Sequence, residues 1–208
     1  MDLPETLPAR LYLLAYDPAK GRLTGRSRLG HVLRAAALVD LWLRGHLQEA
    51  DGRPQANARA PLPTDPVLAA VLDDIAESKP RPWRHWIRRH GEATGAAVTE
   101  QLAAGRWIEV QPHRLLGVLP SSKVTVRDPH VLAGLGDRVR AALRGTTAVT
   151  GVDPLDAALV ALAAAGELST VLPKAQRREH EQRIAALSEV AGPAVPALRQ
   201  LGASAPGG

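Results

Sequence analysis

The sequence predicts a mostly α-helical protein, a helical bundle around a buried central helix, with one protruding β-hairpin. Ala and Leu, with 36 and 30 residues, supply most of the apolar content, whereas aromatic residues amount to only 3%. This composition favours helices packed through aliphatic faces over a β-sandwich, which requires β-branched and aromatic residues. Residues 28–44 are apolar on almost every side, and a helix of this kind belongs at the centre of a bundle.

The elements before the hairpin follow from helix start and stop signals. Residues 7–16 predict an apolar helix, and Ser27 is the expected N-cap of the central helix, which Gly45 ends. Residues 49–63 are rich in Gly, Pro and Asn, which predicts an exposed loop with room for a short strand pair. Further helices are expected at residues 66–78, with Thr64 or Asp65 as the cap, and at 83–90 and 93–104.

A β-hairpin is predicted at residues 106–119, where two apolar runs flank Gln111-Pro112-His113 as the turn. Residues 123–127 alternate in polarity and predict a third short strand. An apolar run beside the turn consists of Leu115, Leu116, Val118 and Leu119. Because a short hairpin cannot bury both faces, we expect this run to be exposed and to contact another subunit, giving a homo-oligomer, or a membrane surface.

The second half of the chain predicts helices at residues 129–144, 154–165, 173–190 and 193–201. A chain of 208 residues has enough length for a buried core, and we expect residues 1–201 to form a single domain. The small polar residues 202–208 predict a disordered tail.

The sequence contains few of the residue patterns that indicate a catalytic site or a metal site. The absence of cysteine excludes disulfides and thiolate sites. His85 and His90 lie five positions apart, so they do not share a helix face as a metal-binding pair would. The sequence contains no Gly-rich phosphate loop and no nucleophile motif. We therefore expect a protein that is not an enzyme, with no catalytic residue, metal or cofactor.

The amino-terminal residues carry no basic region followed by an apolar run, and no stretch approaches the roughly 20 apolar residues of a membrane span. We expect a cytoplasmic protein whose membrane contact, on the inner face, is peripheral. The net charge is +5, with 22 Arg against four Lys, a ratio that fits an Arg-rich bacterial proteome. This charge favours an anionic partner, although it also fits a solubility feature.

Arg26, Arg28 and Arg34 lie at or near the start of the central helix, where the helix dipole disfavours cations. An anion bound between them relieves this unfavourable placement. Asp40 follows Arg34 by six positions, about 240° around the helix, so it points elsewhere. The alternative is that Arg26 and Arg28 are solvated and Arg34 pairs with an acidic neighbour.

A second basic segment, residues 81–90, interleaves Trp83 and Trp86 with Arg residues that include Arg88 and Arg89. Trp beside Arg suits a lipid headgroup interface or base stacking on single-stranded nucleic acid. The alternative is that the Trp side chains pack in the core while the Arg side chains stay in water.

Six blocks of sequence, in order between residues 3 and 201, resemble the Golgi phosphoprotein 3 family. The blocks are LPARLYLLAYDPAKGRL, RLGHVLRAAALVDLWLRGHLQ, PLPTDPVLAAVL, QLAAGRWIEV, DRVRAALRG and DPLDAALVALAAAGEL. The resemblance implies a mostly helical fold around a buried helix, with a projecting hairpin that contributes to self-association. It also implies binding of phosphatidylinositol 4-phosphate by an aromatic residue and several Arg residues.

Within this resemblance, Arg34 matches a headgroup Arg of the family. The family's Trp falls near Gly25, and its Arg pair falls near residues 91–94, where this chain has no Arg. Arg88 and Arg89 lie close by and are candidates to replace that pair. The chain is thus expected to be a divergent member with a looser preference among anionic headgroups.

Three functions are open on the sequence alone. The leading hypothesis is a peripheral membrane or adaptor protein that binds an anionic phospholipid headgroup through Arg side chains without chemistry. The second is a nucleic-acid-binding protein that uses the hairpin as a wing, a less favoured interpretation. The third is a helical module for protein–protein interaction.

Overall fold

The computed structural model describes residues 3–115, 119–145 and 147–203, apart from the side chains of Arg26 and of residues 112–122. Helices account for more than half of the described residues, which confirms the mostly α-helical prediction. The α-helices in the described residues are α1 (Leu7–Leu14), α2 (Arg26–Leu43), α3 (Pro66–Ala76), α4 (Trp83–Arg88), α5 (Gly91–Ala104), α6 (Pro129–Arg144), α7 (Pro154–Ala165), α8 (Lys174–Glu179), α9 (Glu181–Ala191) and α10 (Ala194–Ala203). A short 3-10 helix spans Val149–Gly151.

The strands in these residues form three separate antiparallel pairs. They are β1 (Tyr16–Asp17) with β2 (Arg22–Leu23), β3 (Leu47–Ala50) with β4 (Arg53–Ala56), and β5 (Ile108–Leu115) with β6 (Leu119–Val126). The β3–β4 pair confirms the short strand pair predicted in the loop after α2. The β1–β2 pair was not predicted.

The long hairpin lies where it was predicted, but its turn was misplaced. Pro112 is not in a turn, because it lies in β5 opposite Ser122 of β6. Residues 123–126 are the return strand of the hairpin and not a third strand, since Lys123 pairs with Gln111. A two-stranded ribbon contains only edge strands, which tolerate Pro, so Pro112 is a misleading turn signal.

The central helix is α2, as predicted. It contacts α1, α3, α4, α5, α7 and α10, and Leu38 is fully buried among them. The expectation that Trp42 is nearly inaccessible is wrong, because Trp42 is only half-buried at the edge of the core. Its ring packs edge-to-face against Trp83, with 5.9 Å between the ring centroids.

The ends of α2 are marked by glycines in the left-handed conformation. Gly25, with φ of 63°, is the N-cap, so the predicted cap Ser27 is wrong and lies inside the first turn. Gly45, with φ of 74°, follows the helix as its predicted stop. A glycine before the helix lets the chain reverse after β2 at low steric cost, which the sequence pattern did not indicate.

Several boundaries near the carboxyl end differ from the predicted ones. The single helix expected at residues 173–190 is divided at His180, whose φ of −109° and ψ of 25° separate α8 from α9. Helix α10 includes Gly202 and Ala203, which the sequence assigns to the tail, and residues 204–208 lie outside the described residues. The single-domain boundary at residue 201 stays a prediction.

Helices α2 and α5 approach each other through glycine. A Cβ atom at Gly30 would lie 2.7 Å from the carbonyl oxygen of Gly91, and one at Gly91 would lie 3.1 Å from the carbonyl carbon of Gly30. Backbone atoms cannot move away as a flexible side chain can, so this contact requires a residue without a side chain.

We expect Gly30→Ala to lower the free energy of unfolding by about 1–3 kcal/mol, because the added methyl group overpacks the α2–α5 contact. Urea denaturation measures this change. Gly95→Ala is the matched control, since Gly95 lies within α5 and a Cβ there meets nothing within 4 Å. That control should be neutral or slightly stabilising, as Ala favours helix over Gly. Equal stability of the two variants would contradict the close approach.

Candidate functional site

Arg34 lies in the core and has partners on two other helices. Its Nη2 donates to Asp74 Oδ2 of α3 at 2.5 Å, and its Nε donates to the carbonyl oxygen of Trp86 in α4 at 3.2 Å. Burial lowers the pKa of Arg34, while the Asp74 carboxylate acts in the opposite direction. The structure therefore shows the alternative that the sequence left open, in which Arg34 is paired with an acidic residue. Asp40 points away as predicted, since it contacts Leu7 and Arg44.

The cavity beside Arg34 has an acidic character. Its volume is about 460 Å³, and its lining includes Asp73, Asp74, Glu77 and His90 as well as Arg34. Arg28 lines a different cavity, so the structure does not bring Arg34 and Arg28 together as expected. The side chain of Arg26 lies outside the described residues. A headgroup role for Arg34 stays a prediction. Two nitrogen atoms of its guanidinium, Nε and Nη2, already donate hydrogen bonds to Trp86 and Asp74.

Arg28 lies in the first turns of α2 and is held by two other segments. Its Nη1 donates to Glu167 Oε2 at 2.9 Å, and its Nη2 donates to the carbonyl oxygen of Gly202 at 3.3 Å. The Arg28 side chain keeps 38% of its surface exposed. Arg28 is therefore a partly solvated cation at the point where the start of α2 meets the ends of α7 and α10.

Arg88, the last residue of α4, is exposed and lines three cavities. It shares the α2–α10 cavity, of about 460 Å³, with Arg28 and His31. It shares the α4–α10 cavity, of about 930 Å³, with Arg81, Arg84 and Arg89. The third, the α2–α5 cavity, also has a volume of about 930 Å³ and includes Glu92 in its lining. Such volumes fall in the roughly 300–1,000 Å³ range of small-ligand sites.

We call Arg28, Arg81, Arg84, Arg88 and Arg89 the Arg88 surface. Among the described residues, neither the α2–α10 nor the α4–α10 cavity has an acidic residue in its lining. Within the same part of the chain, no hydrogen bond or ion pair engages the guanidinium of Arg88. This surface therefore presents guanidinium groups whose positive charge is only partly balanced by the protein.

Arg89 contributes less free charge to this surface than Arg88 does. Its Nε donates to Asp74 Oδ1 at 2.9 Å, so Arg89 and Arg34 share one carboxylate from opposite sides. The structure thus gives Arg88 and Arg89, the two predicted residues at the end of α4, different surroundings. Arg88 lines the cavities and has no hydrogen bond or ion pair with any described residue, whereas Arg89 is paired with Asp74 of α3.

The two Trp residues of the basic segment point inward. Trp83 is 5% exposed and Trp86 is fully buried, so neither serves as an interfacial anchor or a stacking platform. Their indole nitrogens are satisfied within the protein, Trp83 by Glu49 Oε2 at 2.7 Å and Trp86 by the carbonyl oxygen of Arg81 at 3.0 Å. The alternative of core Trp with Arg in water is the arrangement found.

His85 lines the α4–α10 cavity together with the four Arg residues. Loss of solvation lowers its pKa from the ordinary value of 6.5, and the nearby charges of Arg81 and Arg89 lower it further. Its ring also meets Trp86 edge-on, with 5.3 Å between centroids. His85 is therefore neutral at neutral pH, and a bound anion favours its protonation.

The side chains of the four predicted contact residues of the hairpin lie outside the described part of the chain. Leu116 and Val118 lie outside the described residues, and only the backbone pairing of Leu115 with Leu119 is defined. Their role in oligomer or membrane contact stays a prediction. Val110, near the base of the hairpin, is one of the exposed large apolar residues, at 37%.

A search of the described residues finds no cluster of three His, Cys, Asp or Glu side chains suited to a metal ion. In the same residues no helix combines the length and the apolar character needed to cross a bilayer.

Comparison with protein families gives one informative result. The model of the family described as Golgi phosphoprotein 3 (GPP34) matches residues 7–203, which is nearly the whole chain. No curated protein matches the chain.

We expect Asp74→Ala to lower the free energy of unfolding by about 3 kcal/mol, because it leaves the buried guanidinium of Arg34 without a counter-charge. The neighbouring Asp73→Ala is the control, since Asp73 is exposed and the substitution makes the same gain in helix propensity. Thermal or urea denaturation of both variants measures the difference. A loss for Asp73→Ala as large as that for Asp74→Ala would contradict the structural role of the Arg34–Asp74 pair.

Proposed function

Because this chain belongs to the Golgi phosphoprotein 3 family, we propose that it is a peripheral membrane adaptor that binds phosphate-bearing lipid headgroups through the Arg88 surface. The observation that carries this proposal is the unpartnered, exposed Arg88 at the wall of three cavities, one shared with Arg28 and another with three further Arg residues. The family is not a known enzyme family, and the proposed role is binding without chemistry.

The chemistry of the side chains supports a phosphate ligand. A guanidinium presents several donors in a planar fork, which matches the oxygens of a phosphate better than the single charged nitrogen of Lys does. Arg28 and Arg88 reach one cavity from two helices, so a phosphate placed there receives donors from both sides. The sequence pointed to Arg88 and Arg89 as substitutes for the Arg pair that the family resemblance implies near residues 91–94, and we propose that Arg28 and Arg88 serve in its place.

The burial of Trp83 and Trp86 affects how the protein could attach to a membrane. Gly25 occupies the position nearest the family's Trp, and Trp83 and Trp86 are buried. Without an aromatic anchor among these residues, attachment rests on charge, and exposed charges are screened by salt. We therefore propose weak binding to anionic membranes in general over selective binding of phosphatidylinositol 4-phosphate.

We expect Arg88→Ala to weaken binding to anionic vesicles by about tenfold, because it removes at least one charge-assisted hydrogen bond. Co-sedimentation with phosphatidylcholine vesicles containing phosphatidylglycerol or phosphatidylinositol 4-phosphate measures the affinity. Arg59→Ala is the matched control, because Arg59 is exposed in the loop after β4, lines none of the four cavities described above, and its loss changes the net charge equally.

Equal affinities of wild type, Arg88→Ala and Arg59→Ala would contradict the proposed site. The same proteins are tested in a DNA shift assay at two salt concentrations. Binding to DNA without binding to vesicles would replace the proposal by the nucleic-acid hypothesis, and the absence of both would leave protein–protein contact.

We expect vesicle binding to strengthen as the pH falls below about 6.5, the region where His85 gains a proton. The sign follows from linkage, since a bound anion raises the lowered pKa of His85 and binding therefore takes up a proton. Asp74, whose charge opposes the effect of the two Arg residues on His85, is already paired with Arg34 and Arg89.

Vesicles of phosphatidylglycerol are the appropriate probe, because a phosphodiester does not titrate in this range. The slope of affinity against pH should be smaller for His85→Gln than for wild type. Parallel slopes for the two proteins would show that His85 does not face the bound anion.

A further inference from the structure

Glu167 follows Gly166, a lining residue of the α2–α10 cavity, and carries the carboxylate that engages Arg28. Its Oε2 accepts the hydrogen bond from Arg28 Nη1 at 2.9 Å. Arg28 and Arg88 line this cavity together, yet only Arg28 has a carboxylate partner in the described part of the chain. One of the two guanidinium groups offered to an anion is therefore already neutralised by the protein itself.

The backbone keeps residue 167 close to Arg28. Glu167 follows Gly166, the C-cap of α7, and has a φ of 54°, which is left-handed backbone. Gly166 is packed so tightly on α2 that a Cβ there would lie 2.5 Å from Cγ2 of Val32. The backbone of Glu167 thus stays near Arg28 whether or not a ligand is present, because the end of α7 cannot move away from α2 without losing this contact.

The ion pair is nevertheless weak enough to be displaced. The Arg28 and Glu167 side chains are 38% and 60% exposed, so water screens their attraction. Exposed pairs of this kind contribute little free energy. A phosphomonoester carries more negative charge and more acceptor oxygens than a carboxylate, and a phosphodiester carries an equal charge, so a phosphate group competes for the same guanidinium donors.

We propose that Glu167 is an internal competitor that sets the affinity of the α2–α10 cavity, since an anion must displace its carboxylate before Arg28 and Arg88 can bind the anion together. This inference rests on the proposed function, because it concerns the same phosphate site. It adds a residue that lies on the segment after α7, far in sequence from both Arg residues, and that acts against binding. The ligand class is a phosphate group, either on a lipid headgroup or free in solution.

The test is a double-mutant cycle on the full chain. Glu167→Gln removes the negative charge while keeping the size of the side chain, and we expect it to raise the affinity for phosphatidylcholine vesicles containing phosphatidylglycerol by about three- to fivefold. In an Arg28→Gln background, Glu167→Gln should have no effect, because no guanidinium is then released.

A matched control separates this local effect from a general change in charge. Glu189→Gln removes one exposed carboxylate from α9, and Glu189 has no side-chain partner in the described residues. Its affinity for vesicles should stay near that of wild type. Circular dichroism of each variant verifies that the helical fold is retained.

The outcomes are distinct for the two proposals. Wild-type affinity for Glu167→Gln, an equal gain for Glu189→Gln, or a gain that persists in the Arg28→Gln background would each overturn the role of Glu167, while binding lost in Arg88→Ala would leave the proposed function standing. No vesicle binding by any variant would overturn both. Titration with inorganic phosphate identifies the source: the same order of affinities supports free phosphate as a ligand, and a response on vesicles alone supports the lipid headgroup.

Discussion

The structure depends on the burial of a central helix that carries two buried charges. Asp40 is fully buried and Arg34 is 3% exposed, and a buried charge is tolerated only when it is paired and hydrogen-bonded. Asp40 accepts the backbone N–H of Leu7 at 2.6 Å, at the start of α1, where Thr6 makes no side-chain cap. Arg34 binds Asp74 of α3 and the last turn of α4. The two charges thus fix three helices in position around α2.

This use of Arg34 decides which cations remain for a ligand. With Arg34 and Arg89 both on Asp74, the positive charge that faces the α2–α10 cavity comes from the start of α2, at Arg28, and the end of α4, at Arg88. Helix α10 packs against α2, α4 and α7 and contributes lining residues to the α2–α10 and α4–α10 cavities. The site we propose is therefore a consequence of how the core satisfies its own buried charges.

Much of the fold could be predicted because helix ends depend on local chemistry. Pro129 and Pro154 begin α6 and α7 where predicted, and Asp65 caps α3 by accepting the N–H of Leu68 at 2.9 Å. The errors arise where a local signal had two meanings. Pro112 has the composition of a turn but lies in a strand, and the apolar ring of Trp42, expected in the core, lies at its edge beside Trp83.

For the candidate site, the family resemblance, the central helix and the two basic segments could be read from the sequence. Three features required the folded structure: the pairing of Arg34 with Asp74, 40 residues later, the inward orientation of Trp83 and Trp86, and the contact of Glu167 with Arg28 across 139 residues. Periodicity and capping act within a few residues along the chain, so they carry no information on such contacts. Pairing of charges and the walls of a cavity depend on which helices pack together, and that arrangement follows from burial of the whole core.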